Sequence, residues 1–261
     1  MTNYSHIKLS DHFYPQTYDR FPTLYYPTTE TSGDLIATYG QNLPLFGTGA
    51  CSGNGYARGT FGTSNTSSAN PNPTGFAIEN SSLTSGFDTA VVAPPFMYEV
   101  VFNAGARYVY IRSILGLPRS YFYTYYNGGT KYYVFFDRFG GGTSTALQSQ
   151  VLDLSTSYYI VIACIGTGTN EIRMYVNKVQ RGETTYDPTT SNMTHVSVGM
   201  EVSNWGTKTA SKQLSNGLVG KIALSNSTTN LPITTWAGVE SIMNLRMPTT
   251  AGAIVDYPIA M

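Results

Sequence analysis

Residues Ser157 to Glu183 read SYYIVIACIGTGTNEIRMYVNKVQRGE, and their pattern decides the fold class. Positions 158 to 165 are apolar without alternation, as in a strand covered on both faces. Gly166-Thr167-Gly168-Thr169-Asn170 then turns the chain. Beyond it Ile172, Met174 and Val176 alternate with Arg173, Tyr175 and Asn177, which predicts a strand with one buried and one wet face. Val176-Asn177-Lys178-Val179 begins a second tight turn, since Asn tolerates the left-handed backbone that such a turn needs. The expected product is a three-stranded antiparallel meander.

The same pattern extends outward. Phe96-Met97-Tyr98-Glu99-Val100-Val101-Phe102 reads as one strand, and residues 106–115 as another, with aliphatic residues alternating with Arg107, Tyr110 and Arg112. Ser120 to Asp137, SYFYTYYNGGTKYYVFFD, reads as a hairpin whose Asn127-Gly128-Gly129 supplies positive φ angles. Its strands are aromatic on both faces. If Tyr121, Tyr123 and Tyr125 share one face, Phe122 and Tyr126 take the other; one row belongs to the core, and the other lies under a loop, meets a partner chain or offers a sugar a stacking surface.

Composition agrees with an all-β chain. Its 261 residues suit one large β domain with an extension. The 21 Tyr and the abundance of Thr, Ser, Asn and Gly favour strands, turns and wet interfaces over helices. Net charge is zero and only 11% of residues are charged, so no electrostatic footprint for nucleic acid or an anionic membrane exists. The longest apolar run, Ile160 to Ile165, is far short of the roughly 20 residues of a membrane helix, and the N-terminus lacks the basic-then-apolar plan of a secretory signal. Cys51 and Cys164 are expected as free thiols, one in a Gly-rich loop and one in an apolar strand. The sequons at Asn3, Asn65, Asn80, Asn192 and Asn226 carry no weight in so Asn/Thr-rich a chain.

Three regions follow: residues 1–72 as an N-terminal arm, 73–247 as the sandwich, and 248–261 as a tail. The arm pairs aromatics with prolines in HFYPQTYDRFPTLYYPTT and continues into a Gly/Ser/Asn stretch. Phe13, Tyr14, Tyr18, Phe21, Tyr25 and Tyr26 are too aromatic for a disordered tail, so they pack either on a neighbouring chain or on the protein's own sandwich.

The ordered motifs resemble the laminin G-like, concanavalin A-like jelly-roll superfamily of lectins and glucanases. Tyr158 or Tyr159 stands at that family's aromatic position, and Tyr175-Val176-Asn177 at its Tyr-Val-Asn/Asp, with Lys178 replacing the usual Gly. Val196-Ser197-Val198-Gly199 matches its next strand, and Asn216 to Ser225 (NGLVGKIALS) the one after, with Ala223 where the family has Asp. Trp236 to Met243, WAGVESIM, is similar to a degenerate last landmark. The resemblance implies a two-sheet antiparallel sandwich. It also raises calcium, to which Asp137, Asp153 or Asn170 would contribute, although nothing in the residues singles out a ligand set.

Catalytic constellations are missing from the sequence. A glycoside hydrolase needs two carboxylates close together, whereas Glu99, Asp137, Asp153, Glu171, Glu183, Asp187 and Glu201 have no acidic partner two positions away. His6, His12 and His195 accompany no nucleophile elbow, and Phe139-Gly140-Gly141-Gly142 lacks the Lys-Ser/Thr of a phosphate loop. No cofactor and no enzyme activity are expected. The chain keeps Met1 and combines low charge with a Tyr-rich polar composition, which suits a structural component of a bacteriophage particle: a capsid decoration, a fibre or another surface protein made in the host cytoplasm. Its expected partners are other virion proteins, copies of itself and host glycan. The alternative is a lectin or adhesin. For glycan or protein contact the candidates are Tyr121, Tyr123, Tyr125, Tyr132 and Trp205.

Overall fold

The computed structural model describes residues 24–26, 33–37, 41–47, 51–53, 58–60, 74–79, 94–103, 111–117, 120–126, 131–140, 143–153, 156–166, 168–186, 195–199, 201–204, 209–211, 217–225 and 232–246. Their strands are β1 (Leu24–Tyr26), β2 (Leu45–Gly47), β3 (Cys51–Gly53), β4 (Arg58–Thr60), β5 (Thr74–Glu79), β6 (Phe96–Asn103), β7 (Ile111–Leu117), β8 (Ser120–Tyr126) and β9 (Lys131–Gly140). They continue with β10 (Thr143–Gln148), β11 (Leu152–Asp153), β12 (Ser157–Cys164), β13 (Gly168–Val176), β14 (Val179–Tyr186), β15 (His195–Val198), β16 (Glu201–Asn204), β17 (Thr209–Ser211) and β18 (Gly217–Ser225). One helix, α1 (Trp236–Arg246), follows.

The strands form two antiparallel sheets and a short ribbon. Sheet 1 runs β14-β13-β12-β6-β18-β4-β3, with β1 also on β18; sheet 2 runs β10-β9-β8-β7-β15-β5-β2, with β11 also on β9; β16 and β17 pair apart. The predicted meander is β12-β13-β14. Its second turn has Val176 opposite Val179, with Asn177 at φ 49° and Lys178 at φ 68°. Both loop residues are therefore left-handed, the backbone that matches the twist of a two-residue hairpin. Asn177 also extends the ladder: its N–H donates to the Tyr159 carbonyl at 2.8 Å, and its Oδ1 accepts from the Tyr159 N–H at 2.9 Å.

The inner faces of the sheets make the main core. Phe96, Tyr98, Val100, Ile160, Ile162, Ile172 and Met174 from sheet 1 meet Tyr132, Val134, Phe136, Leu147 and Val198 from sheet 2. The Phe96 and Tyr98 rings stack at 4.6 Å, and Tyr98 reaches Phe136 at 6.2 Å. Each fully buried aliphatic side chain here contributes about 1.5–3 kcal/mol. At one margin β14 packs against β10, where a Cβ on Gly182 would stand 3.3 Å from the Gln148 carbonyl oxygen.

Two findings bear on the sequence reading. First, part of the 1–72 segment is strand-paired: β1 and β4 lie on β18, β3 on β4 and β2 on β5, while Leu35 and Leu43 are buried in the core and bridge each other. These strands are three residues long, too short to show a period. Second, α1 covers the outer face of sheet 1. Val239, Ile242 and Met243, spaced along one helical face, join Met97, Tyr159, Val161, Ala163 and Tyr175 in a second core. This explains why β12 is apolar on both faces. It also corrects the expectation of a wet face on β13, because Tyr175 is 2% exposed. The segment read as a degenerate last landmark is the helix, capped by Thr235, whose Oγ1 accepts from the Gly238 N–H at 3.2 Å.

Candidate functional site

The outer face of sheet 2 gathers aromatic residues. On β9, Tyr132, Val134 and Phe136 are buried in the core, so the intervening Tyr133 and Phe135 occupy the outward face and are partly exposed. Their rings meet edge to face, 6.1 Å apart at 68°. Lys131, Asp137 and Phe139 share their parity. The β8 register places Tyr125 opposite Tyr133, Tyr123 opposite Phe135 and Tyr121 opposite Asp137. Five aromatic positions thus fall on one face of two adjacent strands, extending over about 13 Å along β8 and about 7 Å along β9 at roughly 3.3 Å per residue.

One aliphatic residue and several small or polar ones border this row. Ile111, Ser113 and Gly116 of β7 lie opposite Tyr125, Tyr123 and Tyr121, with a register shift between Ser113 and Leu115. On the other side Ala146 lies opposite Asp137, and the exposed Gln148 opposite Phe135. The ribbon strand β16 approaches β7 and β15.

Charge is sparse on this face. Lys131 stands opposite Asp153 in the ladder, leaving Asp137 at the other end of β9. Asp137 and Asp153 are separated by six residues of strand, about 20 Å, and Glu79, opposite His195 on β5, lies four strands from β9, about 19 Å away. Glycosidic carboxylate pairs stand about 5–10 Å apart. Among the described residues no three His, Cys, Asp or Glu side chains group as metal ligands.

The candidate contact residues separate accordingly. Tyr121, Tyr123 and Tyr125 lie at outward positions. Tyr132 does not: it is 2% exposed, faces Tyr126 and Leu152 in the ladder, and belongs to the core. Tyr133 and Phe135 take its place. The sequence signal for them is the aliphatic Val134 between them, which marks the inward parity. Trp205 lies outside the described residues, as do Phe13, Tyr14, Tyr18 and Phe21. Tyr25 and Tyr26 lie in β1 opposite Ala223 and Ile222. Of the residues raised for calcium, Asn170 lies in β13 of sheet 1, whereas Asp137 and Asp153 belong to sheet 2.

A second aromatic-polar cluster fastens α1 to sheet 1. The Arg173 guanidinium lies 4.1 Å over the Trp236 ring. Its Nε donates to Glu183 Oε2 at 3.1 Å, and Gln180 Nε2 donates to the same oxygen at 2.9 Å. Tyr175 sits beside Trp236, and burial pushes its phenol pKa up against the opposing pull of Arg173. Arg173, Gln180 and Glu183 satisfy one another, so the cluster serves the helix contact.

No family model and no curated protein matches the chain. Among solved structures the fold is similar to the Trypanosoma rangeli sialidase in complex with sialic acid, with a TM-score of 0.57 at 10% identity over 86% of this chain and 32% of that one. It is similar to the botulinum neurotoxin serotype D binding domain, with a TM-score of 0.54 at 8% identity over 87% of this chain and 52% of that one. The receptor binding domain of botulinum neurotoxin C/D mosaic serotype gives 0.55 at 7% identity, over 85% and 51%. The chain therefore spans about a third of the sialidase chain and about half of each toxin domain. At these identities the likeness is one of fold, an antiparallel β-sandwich.

Proposed function

We propose that this sandwich is a non-enzymatic carbohydrate-binding protein whose contact face is the outer surface of sheet 2. The observation that carries the reading is the partly exposed pair Tyr133 and Phe135, extended by Tyr121, Tyr123 and Tyr125 in register. Aromatic rings with polar neighbours suit the C–H faces and hydroxyls of a sugar. Wide separation of the acids on this face favours binding over cleavage. The similarity to a sialidase and to toxin binding domains supports a sugar-directed role by analogy of fold alone. A glycan array probed with the full chain tests the reading. Binding to a defined set of glycans, lost in Tyr133→Ala and Phe135→Ala, is expected; a uniformly blank array overturns it. Reducing sugar released from a bound glycan would overturn the non-enzymatic part.

The particle setting is a further part of the proposal. Low charge, Tyr-rich polar composition and the aromatic-proline stretch that leads into β1 support a surface component of a virus particle. Deleting residues 1–22 is expected to abolish incorporation into particles while leaving glycan binding intact. Unchanged incorporation would refute this setting.

A further inference from the structure

We infer that the aromatic face of sheet 2 takes uncharged pyranose chains of more than one ring and disfavours acidic glycans; the inference rests on the carbohydrate-binding reading above and gives it a ligand class. A carboxylate or sulfate on a sugar is ordinarily held by a guanidinium or a cluster of charged donors. By register the outward positions of β7, β8, β9 and β10 supply no arginine: Arg112 of β7 lies opposite Thr124 and Arg138 of β9 opposite Ser120, both at inward positions that share the parity of Val134. Lys131 is the one outward cation, and it stands opposite Asp153, while Asp137 adds a second acid. One cation against two acids gives the face a slight negative balance that opposes an anionic ligand.

Length follows from the row itself. The positions of Tyr121, Tyr123 and Tyr125 run alongside those of Tyr133 and Phe135, so the aromatic row extends over about 13 Å along β8 and about 7 Å along β9, longer than one ring. The partly exposed rings offer faces and edges, and Gln148 and Ser113 flank them with neutral hydrogen-bonding groups.

Titration calorimetry on the full chain tests this with neutral oligosaccharides of one to three rings and with their sialylated or sulfated counterparts, at low and high salt. Neutral chains are expected to bind at least tenfold more tightly than acidic ones. Their affinity should grow at least tenfold from one ring to three and stay within about twofold as salt rises, since screening acts on charges. Tyr133→Ala should weaken neutral binding at least tenfold. Asp137→Arg, which leaves the rings in place, should raise affinity for the acidic set. Tighter, salt-sensitive binding of acidic glycans to the unaltered chain would overturn the inference and leave carbohydrate binding standing. Silence towards every glycan would overturn both. A dimer that dissociates on Tyr133→Ala would assign the face to a second copy and likewise overturn both.

Discussion

The Tyr159 hydroxyl donates a 2.5 Å hydrogen bond to Oε1 of Glu99, and both residues are buried, at 5% and 4% exposure. Glu99 lies between Val161 and Ala223 in the ladder, on the face of sheet 1 that α1 covers, so this carboxyl group has little access to water. Tyr159→Phe removes this one donor from the buried carboxyl group and should cost about 1–3 kcal/mol, the usual range for losing a buried hydrogen bond to an acidic group. The double substitution Tyr159→Phe with Glu99→Met should cost less than the sum of the two single changes. Urea midpoints at constant slope measure the cycle, and additive losses would deny the coupling.

Asn177 and Lys178 offer two separable tests. Asn177→Gly keeps the left-handed backbone but loses the acceptor for the Tyr159 N–H, so a loss of about 1 kcal/mol is expected. Lys178→Gly relieves a positive φ at a residue that carries a Cβ and should stabilise by about 0.5–1 kcal/mol. It also removes an ammonium whose Nζ is closed off from solvent without a hydrogen-bond partner, and burial lowers its pKa from the ordinary 10.5. The unfolded chain thus holds the Lys178 proton more tightly than the folded one. The disadvantage of the natural residue relative to Lys178→Gly should be full below the lowered folded pKa. It should shrink as pH rises through that value toward 10.5. Chemical unfolding at stepwise alkaline pH reads the difference, and a constant gap would contradict it.

Two adjacent tyrosines should behave oppositely. Tyr132→Ala opens a cavity in the core and is expected to cost about 3–5 kcal/mol. Tyr133→Ala, on the outward face, should cost less than half as much and act instead on glycan affinity. Thermal unfolding paired with a binding assay distinguishes them; equal destabilisation would place Tyr133 in the core.

Gly238 is where α1 passes Pro232. A Cβ there would fall 1.7 Å from the Pro232 carbonyl oxygen, so the helix cannot keep its seat on sheet 1 with any larger residue. Gly238→Ala should destabilise by roughly 2 kcal/mol or more, as overpacking does. Hydrogen exchange should rise first in residues 236–246, and unchanged protection there would refute the account.

What the sequence made legible was local. Asn177 announced its turn because left-handed backbone is a property of the residue itself, and the unbroken apolar run of β12 announced a strand covered twice. The cover was not legible: Val239, Ile242 and Met243 carry a helical spacing within only 11 residues of α1, too few to announce a helix in so strand-rich a chain. Tyr175 read as wet for the same reason, since Trp236, which shields it, is remote in sequence. On β9 the aromatics are nearly continuous, so hydrophobicity hints at the inward parity only through Val134; cross-strand neighbours such as Leu152 opposite Tyr132 fix it.

Ser149 ties together the strand interrupted between β10 and β11, both of which pair with β9. Its N–H donates to the Val134 carbonyl, and its Oγ accepts from the Val134 N–H, each at 2.9 Å, so the side chain supplies the acceptor where the ladder breaks. The same hydroxyl donates to the Gln150 carbonyl at 2.6 Å. Ser149→Ala leaves the Val134 N–H buried without that acceptor and should cost about 1–3 kcal/mol. Because Val134 lies between Tyr133 and Phe135, the loosening should also reach the aromatic face. A moderate loss of glycan affinity, about threefold, is expected with no change in which glycans are preferred. Ser149→Thr, which keeps the acceptor, should recover both stability and affinity; failure to recover either would show that the hydroxyl does not hold this register.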